Sequence, residues 1–405
     1  MKTLQKSYLK SEEPANVDFR KLPQMKFLKS LPIVTPPKTR WSPKICGMLF
    51  RLKLLIAFVC LLGNAKADIF GIFTYSDNGS DITITDCDQF AGGTINVPAT
   101  IVGKPVVAIG NSAFSFLQSA VVLNLPASVK TIDSEAFLGC GVLTTISIPS
   151  SVTTIGRRAF AGCNRLPSVS IPPGITVIRD GTFEDCYALS GITIPSGVTS
   201  IEHHAFSNCR ELTSVTMPAG ITLIAPYVFS GCHKLQNFTI PSNVTTIGEY
   251  AFDACRSFSS LTMPTSVTNI ERYAFSGCSG LTSLNFPPAP TIVGVGAFSG
   301  CSGLVSVNIP VGITNIQAAM FSQCSNLLNI TIPSGVTSIG SSAFWGCSKL
   351  ESISLPNTVT SIGLSAFQNC SSLAGITLPS NLTRIEHYLF SGCTLLTTVN
   401  IPSSV

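Results

Sequence analysis

The chain has 405 residues, of which 45% are hydrophobic and only 11% charged, which excludes a disordered chain too poor in apolar residues to build a core. The formal net charge of +5 is unevenly placed, because residues 1–67 hold 13 Lys/Arg against 3 Asp/Glu while residues 68–405 hold 12 against 17. The larger part is mildly acidic, which argues against a nucleic-acid partner, whose phosphates call for a basic face.

Residues 1–47 carry Pro14, Pro23, Pro32, Pro36, Pro37 and Pro43 among scattered Lys and Arg, with no amphipathic period. They read as a disordered basic extension. From Met48 the chain runs Met-Leu-Phe-Arg-Leu-Lys, then ten apolar-rich residues (54–63), then Asn64-Ala65-Lys66-Ala67. A short basic start, a short apolar run and Ala-x-Ala before Asp68 predict a secretory signal peptide over 48–67. The run is half the ~20 residues that a membrane-spanning helix needs, so no stable span is expected beyond this segment. Cys60 follows bulky Val59, a poor context for lipoprotein-type cleavage. Two accounts of residues 1–47 stand: translation starts at Met48, or a cytoplasmic tail precedes a short signal-anchor. Either way the expected location is secreted or cell-surface.

Residues 68–105 form a lead-in, and residues 106–405 are about 13 repeats. A phenylalanine recurs every 23 residues from Phe114 to Phe390, and twelve residues after each comes a proline, Pro126 to Pro402. Three residues after each Phe except the first stands a cysteine, Cys140 to Cys393, the first repeat having Leu117 instead. A fixed period of this length is the mark of a solenoid, in which each unit buries its apolar face only against its neighbours. The segment Leu143-Thr-Thr-Ile146-Ser-Ile148-Pro149 alternates with β-branched types and predicts a short strand ended by proline, which has no N–H to donate. Val152 and Ile155 predict a second short extended piece on the return path. Ala159-Phe160-Ala-Gly-Cys163 reads as a tight helical or 3-10 turn with Phe and Cys inward. Pro287-Pro-Ala-Pro290 replaces the usual Pro-Ser-Ser-Val and is expected to bend its coil. The last repeat is incomplete, and an open coil there would expose a strand edge, so the sequence is expected to continue or to be a fragment.

Segments such as Ile148-Pro-Ser-Ser-Val-Thr-Thr-Ile-Gly-Arg-Arg-Ala-Phe-Ala-Gly-Cys163 resemble the BspA-type leucine-rich repeats of bacterial and protozoan surface proteins. The resemblance covers about residues 106–405. The lead-in is similar to the start of such bacterial proteins at Phe73-Thr-Tyr75, Ile82-Thr-Ile84, Val97-Pro98 and Gly103-Lys-Pro-Val-Val-Ala-Ile-Gly110. It implies a right-handed leucine-rich-repeat β/α solenoid with short parallel strands and tight helical turns, and roles in adhesion and in binding host or matrix partners.

Candidate chemistry is sparse. Of 15 cysteines, Cys46 and Cys60 precede Asp68 and Cys87 lies in the lead-in. The twelve repeat cysteines form one column. Export invites disulfides between adjacent coils, but a uniform inward column reads better as small buried thiols. No Cys-x-x-Cys pair or His cluster suggests a metal. His203, His204, His233 and His387 read as surface loop residues. No catalytic, cofactor or metal site is expected, and the chain is expected not to be an enzyme. Asn78, Asn237, Asn243, Asn329 and Asn381 sit in glycosylation sequons, which matter only in a eukaryotic secretory pathway. Ten residues after each Phe stands Ser, Thr or Asn, as in Ser147, Thr193, Thr216, Asn285 and Asn308. That column is either a neutral face binding a protein or glycan through many weak contacts, or a solvated face of good β-formers. The expected role is a non-enzymatic binding or adhesion scaffold; the rival is a self-associating surface-layer component.

Overall fold

The computed structural model describes residues 68–287 and 292–405, so the extension 1–47, the signal segment 48–67 and residues 288–290 of the proline cluster lie outside the described residues. Two columns of short parallel strands run through the repeats. In the first, Ser168–Ser170, Gly191–Thr193 and Ser214–Thr216 pair so that Val169, Ile192 and Val215 stand side by side. The second column holds two-residue strands such as Val177–Ile178 and Ser200–Ile201. Equivalent repeat positions are always partners, because a one-residue slip would turn the apolar set outward.

The lead-in opens with an antiparallel pair, Asp68–Phe70 against Phe73–Asp77, which continues into Ile82–Cys87. Ile82–Cys87 then pairs in parallel with Lys104–Ile109, and Gly92–Asn96 pairs with Ser119–Asn124, so stacking starts within the lead-in. Both strand columns expected from the sequence are present.

The expected helical turn is not. No α- or 3-10 helix occurs among the described residues, and the coils are strands joined by hydrogen-bonded turns. The reason lies in where the N–H groups point. Around Phe137, the N–H groups of Glu135, Phe137 and Gly139 donate to the next coil, at Arg157, Ala159 and Ala161 oxygens 2.7–2.8 Å away. The residues between them donate backwards within the turn, Leu138 to the Glu135 oxygen and Cys140 to the Phe137 oxygen. A helix sends every donor along its own axis, whereas this segment alternates. The alternation needs positive φ two residues either side of the Phe, at Glu135 (59°) and Gly139 (70°). Glycine serves the later position without strain, and the residues that replace it include Asp185, Asn208 and Asn369, types that tolerate the left-handed region.

The core is a set of columns. Consecutive ladder phenylalanines stack with ring centroids 5.2–6.0 Å apart, almost parallel beyond the first pair. This offset stacking adds to area burial. Beside them runs the thiol column, in which each repeat cysteine donates its S–H to the carbonyl of the phenylalanine one coil earlier, at 3.0–3.4 Å. The same carbonyl takes the N–H of its own coil's cysteine, as Phe137 does from Cys140. None of the thirteen described cysteines is in a disulfide. Burial pushes the thiols up, Cys301 and Cys347 to about 12, which removes nucleophilic thiolate at neutral pH.

Candidate functional site: a hydroxyl-lined sheet face and an aromatic turn edge

With the interior uniform, anything selective lies in the side chains that vary from coil to coil, and two surfaces carry such variation. The first is the outer face of the three-residue strands. Ser168, Ser170, Thr193, Ser214 and Thr216 stand exposed there, flanked by Ile171, Pro173 and Pro195. Where neighbouring coils have serine, one has Gly191, which lies on the floor of an open depression of about 720 Å³ that also takes in Ser168, Thr193 and Ser214. A Cβ added at Gly191 would meet nothing within 4 Å, so this glycine is not forced by packing. Gly375, at the same repeat position, differs: a Cβ there would come 2.7 Å from the Thr398 hydroxyl. The hydroxyls can donate and accept, and the apolar rim can cover carbon, a combination suited to polyhydroxyl or peptide groups.

The second surface is the turn edge. Sixteen of the 29 charged residues after residue 67 fall within 157–272, and residues 273–348 have none. Two positions before the Phe, successive coils present His204, Tyr227, Tyr250 and Tyr273, whose rings stack at 4.7, 5.0 and 4.9 Å with interplanar angles of 14–18°. All four hold positive φ of 53–59°, a strain that the stacking and the cross-coil hydrogen bonds offset. The Tyr273 ring lies over Gly296, where any Cβ would come within 2.2 Å of it. Charge completes the edge: the Tyr227 hydroxyl donates to Glu249 at 3.2 Å, and Arg272 pairs with the same carboxylate at 3.4 Å. Because the rings cover one another, only their edges face outward.

The sequence-derived sites distribute simply. The hydroxyl column is a sheet face as expected, while the histidines do not converge: His203 and His387 are exposed, His204 joins the aromatic stack, and His233 lies one coil further on beside Arg210. Among the described residues, no group of three or more His, Cys, Asp or Glu is placed to hold a metal, and no helix is long and apolar enough to cross a membrane. The aromatic column escaped the sequence reading, although His, Tyr, Tyr, Tyr at one repeat position was visible there.

Comparison with known proteins agrees with this geometry. The family model for the BspA type leucine rich repeat region matches residues 86–213, 199–328 and 291–405. A leucine-rich repeat protein from Bacteroides ovatus is 30% identical, with a TM-score of 0.75 over 83% of this chain and 89% of its own. A leucine rich cell surface protein from Faecalibacterium prausnitzii is 28% identical, with a TM-score of 0.55 over 85% and 90%. The pneumococcal vaccine antigen PcpA, 18% identical over 78% of this chain and 92% of its own with a TM-score of 0.56, shares the fold. Comparison with curated proteins gives no match. On the strength of repeats matched from residue 86 to residue 405, the chain belongs to the BspA-type leucine-rich repeat family.

Proposed function

We propose that the protein is exported to the cell surface or secreted, and acts there as a non-enzymatic scaffold that binds a protein or glycan partner through the outer face of its strand column. The observation that carries this reading is the depression at Gly191. It is open although packing leaves room for a side chain, and it is lined by hydroxyls with an apolar rim. The export signal read at 48–67 and the cell-surface relative from Faecalibacterium prausnitzii support the location. Many weak hydrogen bonds along a rigid face give affinity with little ordering cost, which is what a preformed scaffold supplies. Screening the full chain as a monomer on glycan and matrix-protein arrays tests the reading; a surface that captures nothing on either array counts against it.

A second reading, lateral self-association, is favoured by one observation. Residues 273–348 carry no charged residue, and charge depletion marks interface cores. Sedimentation velocity across a concentration series separates the two: growth of assemblies in the absence of any partner supports self-association.

A further inference from the structure

Four residues after the ladder phenylalanines, three successive coils carry Arg210, His233 and Arg256 in one column, beneath which Tyr187 occupies the same repeat position. Backbone hydrogen bonds from Lys234 to the Arg210 oxygen (3.2 Å) and from Ser257 to the His233 oxygen (3.1 Å) hold these coils in step. The Arg210 guanidinium carbon lies 4.4 Å above the Tyr187 ring, and its Nε is buried without a hydrogen-bond acceptor. Among the described residues, none of the ion pairs includes Arg210 or Arg256. The carboxylates nearby are engaged elsewhere: Glu211 by Lys234 at 2.6 Å, Asp185 by the Asn208 amide at 2.9 Å, and Asp253 by Ser276, with Arg256 attracting it more weakly. Three cationic or protonatable groups thus occupy one repeat position of three successive coils, with neither arginine in an ion pair among the described residues. Burial first, and then Arg256 and Arg210, hold His233 below its ordinary value, as a column lacking its counter-ion should.

We propose that the Tyr187–Arg210–His233–Arg256 column is a binding site for a sulfated glycan chain running along the solenoid axis. Two coils separate the arginines, about 10 Å at ~4.8 Å per strand, more than one tetrahedral oxyanion bridges, so the site takes two anionic groups borne on one chain. A guanidinium fork matches the oxygens of a sulfate ester in bidentate fashion. Sulfate esters also stay fully ionised across the acidic range, below the ordinary imidazole value, in which His233 gains its proton. Bound sulfate raises the His233 proton affinity, so binding strengthens as pH falls. The charged groups that act on His233 are Arg256 from the coil after and Arg210 from the coil before. Burial and both arginines oppose its protonation. This site lies on the turn edge, so its failure leaves the sheet-face reading standing, and the reverse holds too.

The test uses the full chain, a heparin oligosaccharide and its desulfated counterpart, with binding followed by calorimetry at about pH 5.5 and about pH 7.5. The expected result is binding of the sulfated probe only, about tenfold tighter at the lower pH, as one added charge-assisted hydrogen bond gives. Arg256→Gln, on an exposed side chain, weakens it about tenfold, and Arg210→Gln combined with Arg256→Gln about a hundredfold. His233→Gln retains binding and loses the pH dependence. Lys349→Gln, outside the column, is the control and binds as the unmodified chain does. Failure to bind heparin, equal binding of the desulfated probe, a double variant that binds normally with an unchanged melting temperature, or an equal loss in Lys349→Gln overturns the proposal.

Discussion

The thiol column makes the fold sensitive to alkali, and the size of the effect follows from the structure. Ten consecutive column cysteines, Cys163 to Cys370, are buried, and burial raises each thiol above its ordinary value of 9.0. Below pH 9 the thiols are protonated in folded and unfolded chains alike, so they cost nothing. Above it the unfolded chain ionises while the folded chain does not, and stability falls as pH rises from 9.0 toward the folded-state value, about 12 for Cys301 and Cys347. Each thiol costs about 1.4 kcal/mol per pH unit in that window. For the ten together that is about 14 kcal/mol one unit above 9, comparable to the whole stability of an ordinary domain at ~5–15 kcal/mol. Circular dichroism across a pH series should therefore show cooperative unfolding near pH 10. Changing both Cys301 and Cys324 to Ala should reduce the pH slope of the urea-derived unfolding free energy by about two protons' worth. A chain that keeps its signal at pH 11, or whose native thiols titrate at the ordinary value, would refute the argument.

Other outcomes follow from the same packing. Phe275 is fully buried between Phe252 and Phe298, at 5.2 and 5.5 Å, so Phe275→Ala should cost about 3–5 kcal/mol in urea denaturation. Phe286, partly buried with one edge contact to Phe298 at 5.5 Å, should cost clearly less as Phe286→Ala; equal losses would deny the ladder its special weight. Gly340→Ala places a Cβ 2.4 Å from the Ala318 backbone nitrogen of the preceding coil and should lower the melting temperature. Gly220→Ala meets nothing within 4 Å and should leave it unchanged or slightly raised.

Features that repeat were legible in the sequence, and features created by stacking were not. The strand column, the inward Phe and Cys and the polar outer face could be read from one coil, because alternation and β-branching are local signals. The turn around Phe160 was misread as helical because Ala-Phe-Ala-Gly-Cys suits a helix as well as it suits alternating φ. What decides between them is the acceptors of the next coil, 22 residues away, such as the Thr182 oxygen that takes the Phe160 N–H at 2.9 Å. The choice of cysteine has the same origin: its partner carbonyl lies 26 residues back, as Phe114 does from Cys140. At Gly340, only stacking reveals that the preceding coil's backbone leaves no room for a side chain. The sheet-face column was readable, but the depression at Gly191 depends on the serines in the coils on either side.

The most direct test of the scaffold reading is to fill that depression. Gly191→Tyr adds a ring where a Cβ has clear space, so folding and melting temperature should be unchanged. Against the partner captured by the unmodified chain, surface plasmon resonance should then show binding weakened by tenfold or more, the loss of about 1.4 kcal/mol. Undiminished binding by a correctly folded Gly191→Tyr protein would contradict the assignment of this face as the binding surface.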